Sequence, residues 1–243
     1  MFIENLRHAK NKWRVLVGIL MGLIVISLLA TFSYAGRSVG VSGSSDSDSS
    51  VLATAEATAE NAAKAAKDAD GDMTVQGDAA AAFLSLAAYQ ELFLEDPADS
   101  YKEALKYAQA MVTACGDTQE PDYDCAYGYE LSAYAGLGDS ASLSAAFNES
   151  LKFVDIDQMY LDSYFGLMSG LEAYDQFVAD MDGVNEKLEK QAAKEPAKDK
   201  KEKAKAKESE DGVMAEEEMS ASDLIEYVQQ LVNQANLSVS SAE

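Results

Sequence analysis

The chain has 243 residues and a formal net charge of −23, with 42 acidic side chains against 19 basic ones. Such an acidic balance argues against nucleic-acid binding, because contacts to phosphate groups require clustered cations.

The most apolar segment lies close to the N-terminus. Residues 13–35 read WRVLVGILMGLIVISLLATFSYA, and about twenty apolar residues suffice for a helix to cross the hydrocarbon core of a bilayer. The basic residues Arg7, Lys10, Lys12 and Arg14 precede the apolar run, whereas Arg37 alone follows it before Lys64. This asymmetry predicts a cytoplasmic segment over residues 1–12, a single transmembrane helix in the plasma membrane over 13–35, and an extracytoplasmic remainder.

A removable export signal is the alternative for the same segment. Ser33 and Ala35 are small residues at the spacing that a signal peptidase accepts, which would release a secreted protein after Ala35. The apolar run is longer than the 7–15 residues typical of such signals, which favours a retained anchor in contact with membrane lipid.

A stalk is predicted over residues 36–77. Its first part, GRSVGVSGSSDSDSS, has the composition of a flexible linker. The alanine-rich part that follows, Val51 to Asp70, favours helix but offers almost no large apolar side chains. We therefore expect a solvated, frayed helix that extends the stalk.

Residues 78–182 show the spacing of a helical domain. Phe83, Leu86 and Phe93 recur at three- and four-residue steps. Pro97 separates a first helix from a second that runs from Ala98 to Gly116. Further helices are predicted from about 123 to 137, from 140 to 154, and from 158 onward, the last with a break near Ser169-Gly170 left open. No segment alternates with a period of two, which predicts an all-α fold.

The two cysteines, Cys115 and Cys125, lie at the ends of the second and third predicted helices. The nine residues between them form a polar loop that would let the two sulfur atoms approach. Outside the cytoplasm such a pair can form a disulfide, which would contribute about 3 kcal/mol. Two buried free thiols are the alternative.

One helical hairpin resembles a tetratricopeptide repeat (TPR). The segment AYGYELSAYAGLGDSASLSAAFNESL, residues 126–151, places aromatic and aliphatic side chains on that family's first-helix positions, a glycine at its turn and a large apolar residue in its second helix. The preceding helix carries a matching small residue. The positions concerned are Tyr101, Ala104, Tyr127, Leu131, Tyr134, Gly138 and Phe147.

This resemblance implies a small stack of antiparallel TPR-like hairpins that binds other proteins. Leu131 and Leu143 depart from the family, which usually has small residues there. An ordinary helical bundle is the alternative, and it is equally all-α.

The C-terminal part divides in two. Residues 183–219 are predicted to be a charged linker rich in lysine and glutamate. A C-terminal amphipathic helix is predicted over residues 220–236. It either docks on the chain's own hairpins or binds a partner or a second copy, with an apolar stripe formed by Leu224, Ile225, Val228, Leu231 and Val232.

Sequence motifs for catalysis, metals or cofactors are not found. The single histidine, His8, falls on the predicted cytoplasmic side, which removes histidine-assisted catalysis from the exported part. The two cysteines lack zinc-ligand spacing, and Asp68 to Asp72 do not match a calcium loop. We therefore expect neither an enzyme nor a cofactor.

The predicted function is a membrane-anchored extracytoplasmic scaffold for protein partners, with secretion or envelope-assembly components as the candidate class. The alternatives are an envelope-organising protein that self-associates and an acidic module that binds cations or glycans.

Overall fold

The computed structural model describes residues 45–69, 71–118, 121–193 and 219–242. Within these ranges the chain forms helices and no strand, which confirms the all-α prediction. From Leu52 onward they belong to one compact unit; of the other unit, Met1–Val51, only residues 45–51 are described. The described helices are α1 (Ser45–Asp68), α2 (Met73–Leu92), α3 (Ala98–Cys115), α4 (Tyr123–Gly136), α5 (Ser140–Ser150), α6 (Gln158–Gly170), α7 (Tyr174–Ala192) and α8 (Ala221–Ala242).

The predicted cytoplasmic segment 1–12 and membrane helix 13–35 lie outside the described residues. Among the residues that are described, no helix is both long and apolar enough to span a bilayer.

Aspartates cap four of the helices at their N-termini. Each carboxylate accepts a hydrogen bond from a backbone N–H of the first turn, which has no partner within the helix. The capping residues are Asp72 of α2, Asp122 of α4, Asp139 of α5 and Asp157 of α6. These caps explain why the helices begin where they do.

Helices α2–α3, α4–α5 and α6–α7 form three hairpins whose turns share one geometry. The second residue after each first helix adopts a positive φ, and the next N–H donates to a carbonyl five residues back, as in a Schellman motif. The positive-φ residues are Leu94 (62°), Gly138 (71°) and Glu172 (56°). The closing N···O distances are 2.8 Å for Glu95 to Gln90, 3.0 Å for Asp139 to Tyr134 and 2.9 Å for Ala173 to Met168.

The second and third hairpins repeat with a period of 34 residues. Their turns, at Gly138 and Glu172, and the starts of their second helices, at Ser140 and Tyr174, are each separated by that interval. At several pairs of positions 34 residues apart, both side chains are buried. These pairs are Tyr127 and Leu161, Glu130 and Tyr164, Leu143 and Phe177, Ala146 and Asp180, Phe147 and Met181, Ser150 and Val184, and Val154 and Leu188.

The hairpins stack side by side. Helix α4 contacts α2 and α6, and α5 contacts α7, while α8 lies against α6 and α7. The largest hydrophobic cluster runs through α4 to α8, with the rings of Phe147 and Tyr164 stacked 3.6 Å apart at its centre.

The prediction of a solvated stalk is wrong for most of helix α1. Ala59 and Ala66 are fully or almost fully buried, and they cluster with residues of α2 such as Ala79 and Leu86. Both helices present alanines at the contact, so their backbones can approach closely without large side chains. Residues 52–68 therefore belong to the packed unit and not to a solvated stalk.

Two further boundaries differ from prediction. Helix α7 continues to Ala192 and buries Val184 and Leu188, so the predicted linker over 183–219 begins ten residues too early. Helix α8 extends to Ala242, six residues past the predicted end. Residues 194–218, the remainder of that linker, lie outside the described residues.

Candidate functional site

An open groove lies where the first hairpin meets the second. Helix α4 forms its floor, and α3 and α5 form its two walls. The groove holds about 260 Å³ and is lined by Gln109, Val112 and Thr113 of α3, Tyr127 and Glu130 of α4, and Ala146 and Glu149 of α5. Ala146 contributes a single methyl group to its wall, so the space between the walls stays open.

Glu130 is the buried charged group of this groove, with 9% of its surface exposed. Its carboxylate accepts one hydrogen bond, from Nε2 of Gln109 at 3.3 Å. The same amide nitrogen also donates to the hydroxyl of Tyr134 at 3.0 Å, so it is shared between two acceptors. Burial raises the pKa of Glu130, and the bond from Gln109 only partly opposes that rise.

Tyr127 forms the aromatic part of the floor. Its ring is stacked with those of Tyr123 and Phe153, with both centroid distances at 6.3 Å. Burial, together with the negative charges of Glu149 and Glu130, raises the pKa of its hydroxyl to about 12. The hydroxyl therefore stays protonated at neutral pH and can donate a hydrogen bond.

The second carboxylate, Glu149, lies at the solvent side. It pairs with Lys152 at 2.5 Å, and half of its side chain is exposed. The residues that line the groove thus include two carboxylates and one amide but no basic side chain. Their electrostatic field favours a cation over an anion.

A second buried carboxylate, in the next hairpin, has a different environment. Asp180, which corresponds to Ala146, is buried and accepts hydrogen bonds from Ser144 at 2.8 Å, Asn148 at 2.7 Å and the hydroxyl of Tyr164. Burial and the Asp180 carboxylate raise the pKa of Tyr164 far above its usual value. The packing of hairpin three on α5 therefore satisfies the Asp180 carboxylate, whereas Glu130 of hairpin two lies at an open groove.

The positions that resemble the TPR family lie mostly in the interior. Those buried are Tyr101, Ala104, Tyr127, Leu131 and Phe147, while Tyr134 is partly buried against the main cluster and Gly138 forms the positive-φ turn. Of these, only Tyr127 also lines the groove.

The predicted docking helix packs on its own chain. Leu224, Val228 and Leu231 of α8 are buried in the main hydrophobic cluster, and Ile225 and Val232 lie partly buried against it. The structure thus places this stripe against α6 and α7, the first of the two arrangements considered above.

Cys115 and Cys125 are both free thiols in this structure. They belong to one small cluster with Met111 and Ala126, and the sulfur of Cys115 lies 3.2 Å from that of Met73. Burial raises the pKa of both thiols, so they stay protonated at neutral pH. Their pairing as a disulfide stays a prediction.

Apart from Tyr127, the residues that line the groove were not identified from the sequence. A signal for Glu130 exists, because it stands three residues after Tyr127 and next to Leu131, on the apolar face of its helix. In a chain with 42 acidic residues, a single glutamate at such a position does not stand out. The contributions of Gln109 and Ala146 depend on the packing of α3 and α5, which no local pattern reveals.

The described ranges show no group of three or more acidic, histidine or cysteine side chains that could hold a metal ion. Comparison with protein-family models, with curated proteins and with solved structures gave no match.

Proposed function

We propose that this protein is a membrane-anchored scaffold that binds protein partners outside the cytoplasm through TPR-like helical hairpins. The observation that carries the proposal is the 34-residue period shared by the turns and buried positions of hairpins two and three. A period of this length is typical of TPR proteins, whose stacked hairpins present binding surfaces.

The groove supplies a recognition surface of this kind. It lies between successive hairpins, it is open to solvent, and it contains polar groups that the chain's own side chains satisfy only in part. The outward face of α8 is polar, with Glu226, Gln229 and Gln230 exposed. A polar terminal helix ends a helical stack and leaves the groove as the surface for a partner.

The proposed location depends on residues 13–35 and on the basic residues before them. Protease added to intact cells should degrade the part of the chain from residue 36 onward and spare the N-terminal segment. Complete protection of an otherwise protease-sensitive chain would contradict the extracytoplasmic location. A shed fragment that begins at Gly36 would show cleavage after Ala35.

Site-specific crosslinking tests the scaffold function. A photoreactive amino acid replaces Thr113, an exposed residue at the wall of the groove, in the full-length chain in its native cells. The matched control carries it at Glu189, an exposed residue of α7 away from the groove. We expect Thr113, and not Glu189, to give a crosslink to one defined envelope or secretion protein.

Two results would contradict the proposal. Equal crosslinking from both positions would show nonspecific contact. A crosslink only to a second copy of the chain would favour the self-associating, envelope-organising alternative.

A further inference from the structure

Hairpins two and three each contain a buried carboxylate, Glu130 and Asp180, but the two differ in the number of hydrogen bonds that they receive. Asp180 receives hydrogen bonds from three side chains of α5 and α6, and Nε2 of Gln176 in its own helix donates a longer one at 3.4 Å. Glu130 receives a single bond of 3.3 Å from an amide that it shares. Two carboxylate oxygens can accept about four hydrogen bonds, so Glu130 retains unused capacity.

We propose that the groove over Glu130 binds the side chain of a lysine or arginine presented by a protein partner. This inference rests on the proposed scaffold function and names the chemistry that the scaffold recognises.

The absence of an internal cation supports this ligand. In the part of the chain that the structure describes, Glu130 forms no salt bridge, whereas Lys152 pairs with the other groove carboxylate, Glu149, at the solvent side. A largely buried carboxylate without a counter-ion is costly, because the single hydrogen bond from Gln109 replaces only part of the hydration that the charge has lost. An ammonium or guanidinium group would supply both the charge and the donors that Glu130 lacks.

The shape of the groove also suits a single long side chain. Its volume of about 260 Å³ is below the range of roughly 300–1,000 Å³ usual for pockets that hold drug-sized molecules. Val112 and Ala146 offer apolar contact to the aliphatic stem of a lysine or arginine, while the carboxylate of Glu130 would receive the cationic head. Glu149 lines the same groove but already pairs with Lys152. Two carboxylates are too few for a calcium site, which needs six to eight oxygen ligands.

The preference for a cationic side chain over an anionic or neutral one follows from the charge of the groove and of the chain. The lining contains no basic group, and the chain as a whole carries a net charge of −23. Long-range attraction brings any cationic partner to this surface, and the groove then selects a side chain that reaches Glu130.

Nuclear magnetic resonance titration of the full-length chain tests the proposal. The probes are short uncharged peptides with one central lysine or arginine, compared with the same peptides that carry norleucine or citrulline. The side-chain amide of Gln109 and the methyl groups of Val112 report on the groove. We expect these signals to shift with the lysine and arginine peptides and to stay unchanged with the neutral ones.

Variants separate the groove from the general acidity of the chain. Glu130→Gln keeps the shape of the side chain and should weaken peptide binding by at least about tenfold, because a charge-assisted hydrogen bond is lost. Glu189→Gln makes the same change in net charge on exposed α7 and should leave binding unaltered. Ala146→Met fills the groove without changing any charge and should also abolish the shifts.

Three results would overturn the inference. They are equal weakening by Glu130→Gln and Glu189→Gln, equal binding of the neutral peptides, and tighter binding of spermidine than of the lysine peptide at Gln109. The last would identify a free polyamine as the ligand. If Glu130→Gln does not fold, the result for Ala146→Met decides.

This test and the crosslinking test can fail independently. Loss of the cation preference with a retained Thr113 crosslink would reject the ligand class and leave the scaffold. Cation binding without any partner crosslink would reject the scaffold and leave the ligand class.

Discussion

Gly136 of α4 packs directly against the ring of Tyr101 in α3. A β-carbon added to it would lie 2.2 Å from the ring carbons of Tyr101, whose hydroxyl donates to Glu91 at 2.9 Å. The ring is therefore held from both ends and cannot easily move. Gly170 occupies the same position one repeat later, at the end of α6, and a β-carbon there would meet nothing within 4 Å.

The two glycines should respond to alanine in opposite directions. Gly136→Ala should lower the free energy of unfolding by about 1–3 kcal/mol, because overpacking forces the ring of Tyr101 to shift. Gly170→Ala should raise it by about 0.4–1 kcal/mol, since alanine restricts the unfolded chain at no steric cost. Urea denaturation measures both. Equal effects at the two sites would contradict the close contact at Tyr101.

Asp124 shows how the acidity of the chain acts on a single residue. Although Asp124 lies at the surface, atoms packed around its carboxyl group and the carboxylates of Asp122, Asp155 and Asp157 raise its pKa to about 6. The ammonium of Lys187 only partly opposes this. Lys187 is itself held at the end of α5, where it donates to the carbonyls of Leu151 and Val154.

The raised pKa predicts a stability difference that depends on pH. The folded state binds the proton of Asp124 more tightly than the unfolded chain, whose aspartates titrate near about 3.9. The resulting stabilisation is present below about pH 4 and is lost as pH rises through 6. Asp124→Asn should therefore raise stability at pH 7.5, by less than about 1 kcal/mol because solvent screens the charges, and should change little at pH 4.

Asp175→Asn is the matched control for that change. Asp175 also lies in the first turn of its helix, so both variants lose a similar interaction with the helix N-terminus. Thermal unfolding at pH 4 and pH 7.5 compares them. A gain for Asp124→Asn no larger than that for Asp175→Asn at pH 7.5 would show that the neighbouring carboxylates do not repel Asp124.

At the scale of helices, α8 completes the core of the last hairpin. Leu231 is 5% exposed and packs with residues of α6 and α7, whereas Leu237 of the same helix is 70% exposed. Leu231→Ala should lower the free energy of unfolding by about 2–5 kcal/mol through the lost contacts and the cavity that remains. Leu237→Ala should change it by no more than about 0.5 kcal/mol.

Urea denaturation of the full-length variants checks this pair. A small effect of Leu231→Ala, equal to that of Leu237→Ala, would show that α8 is not docked on its own chain in solution.

The helices that could be predicted are those with clear local signals. Pro97 and Gly138 each lie between two consecutive helices, as predicted. The apolar spacing of Tyr127 and Leu131 identifies the buried face of α4. Helix α1 could be recognised as helical, but its burial could not, because Ala59 is buried only through its cluster with side chains of α2 such as Leu86 and Phe83. Whether a small residue is buried depends on the helix that packs against it, and a local sequence pattern does not identify that helix.

The groove illustrates the same limit for a site. Glu130 stands on an apolar face, which is a signal in the sequence, yet the groove exists because Ala146 stands where the next repeat has Asp180. That comparison requires the 34-residue register. The register becomes clear from the positive-φ turns at Gly138 and Glu172, which lie 34 residues apart, and Glu172 lacks the glycine expected there.

At the scale of the whole molecule, three stacked hairpins and a terminal helix carry a strong negative charge. The junction of hairpins two and three is closed by hydrogen bonds to Asp180, and the junction of hairpins one and two is left open at Glu130. The described part of the chain thus combines one hairpin junction whose buried carboxylate is fully hydrogen-bonded with another whose carboxylate is only partly so. The proposed membrane anchor would hold that open surface at the outer side of the bilayer.

Quantitative recovery of partners by groove variants tests this account most directly. Full-length wild type, Glu130→Gln, Ala146→Met and the control Glu189→Gln would be purified from their native membranes, and the bound proteins compared by mass spectrometry. We expect one defined protein to accompany the wild type and Glu189→Gln and to be lost, by about tenfold or more, from both groove variants. Undiminished recovery of that protein by both groove variants would contradict the central claim that the groove is the binding site.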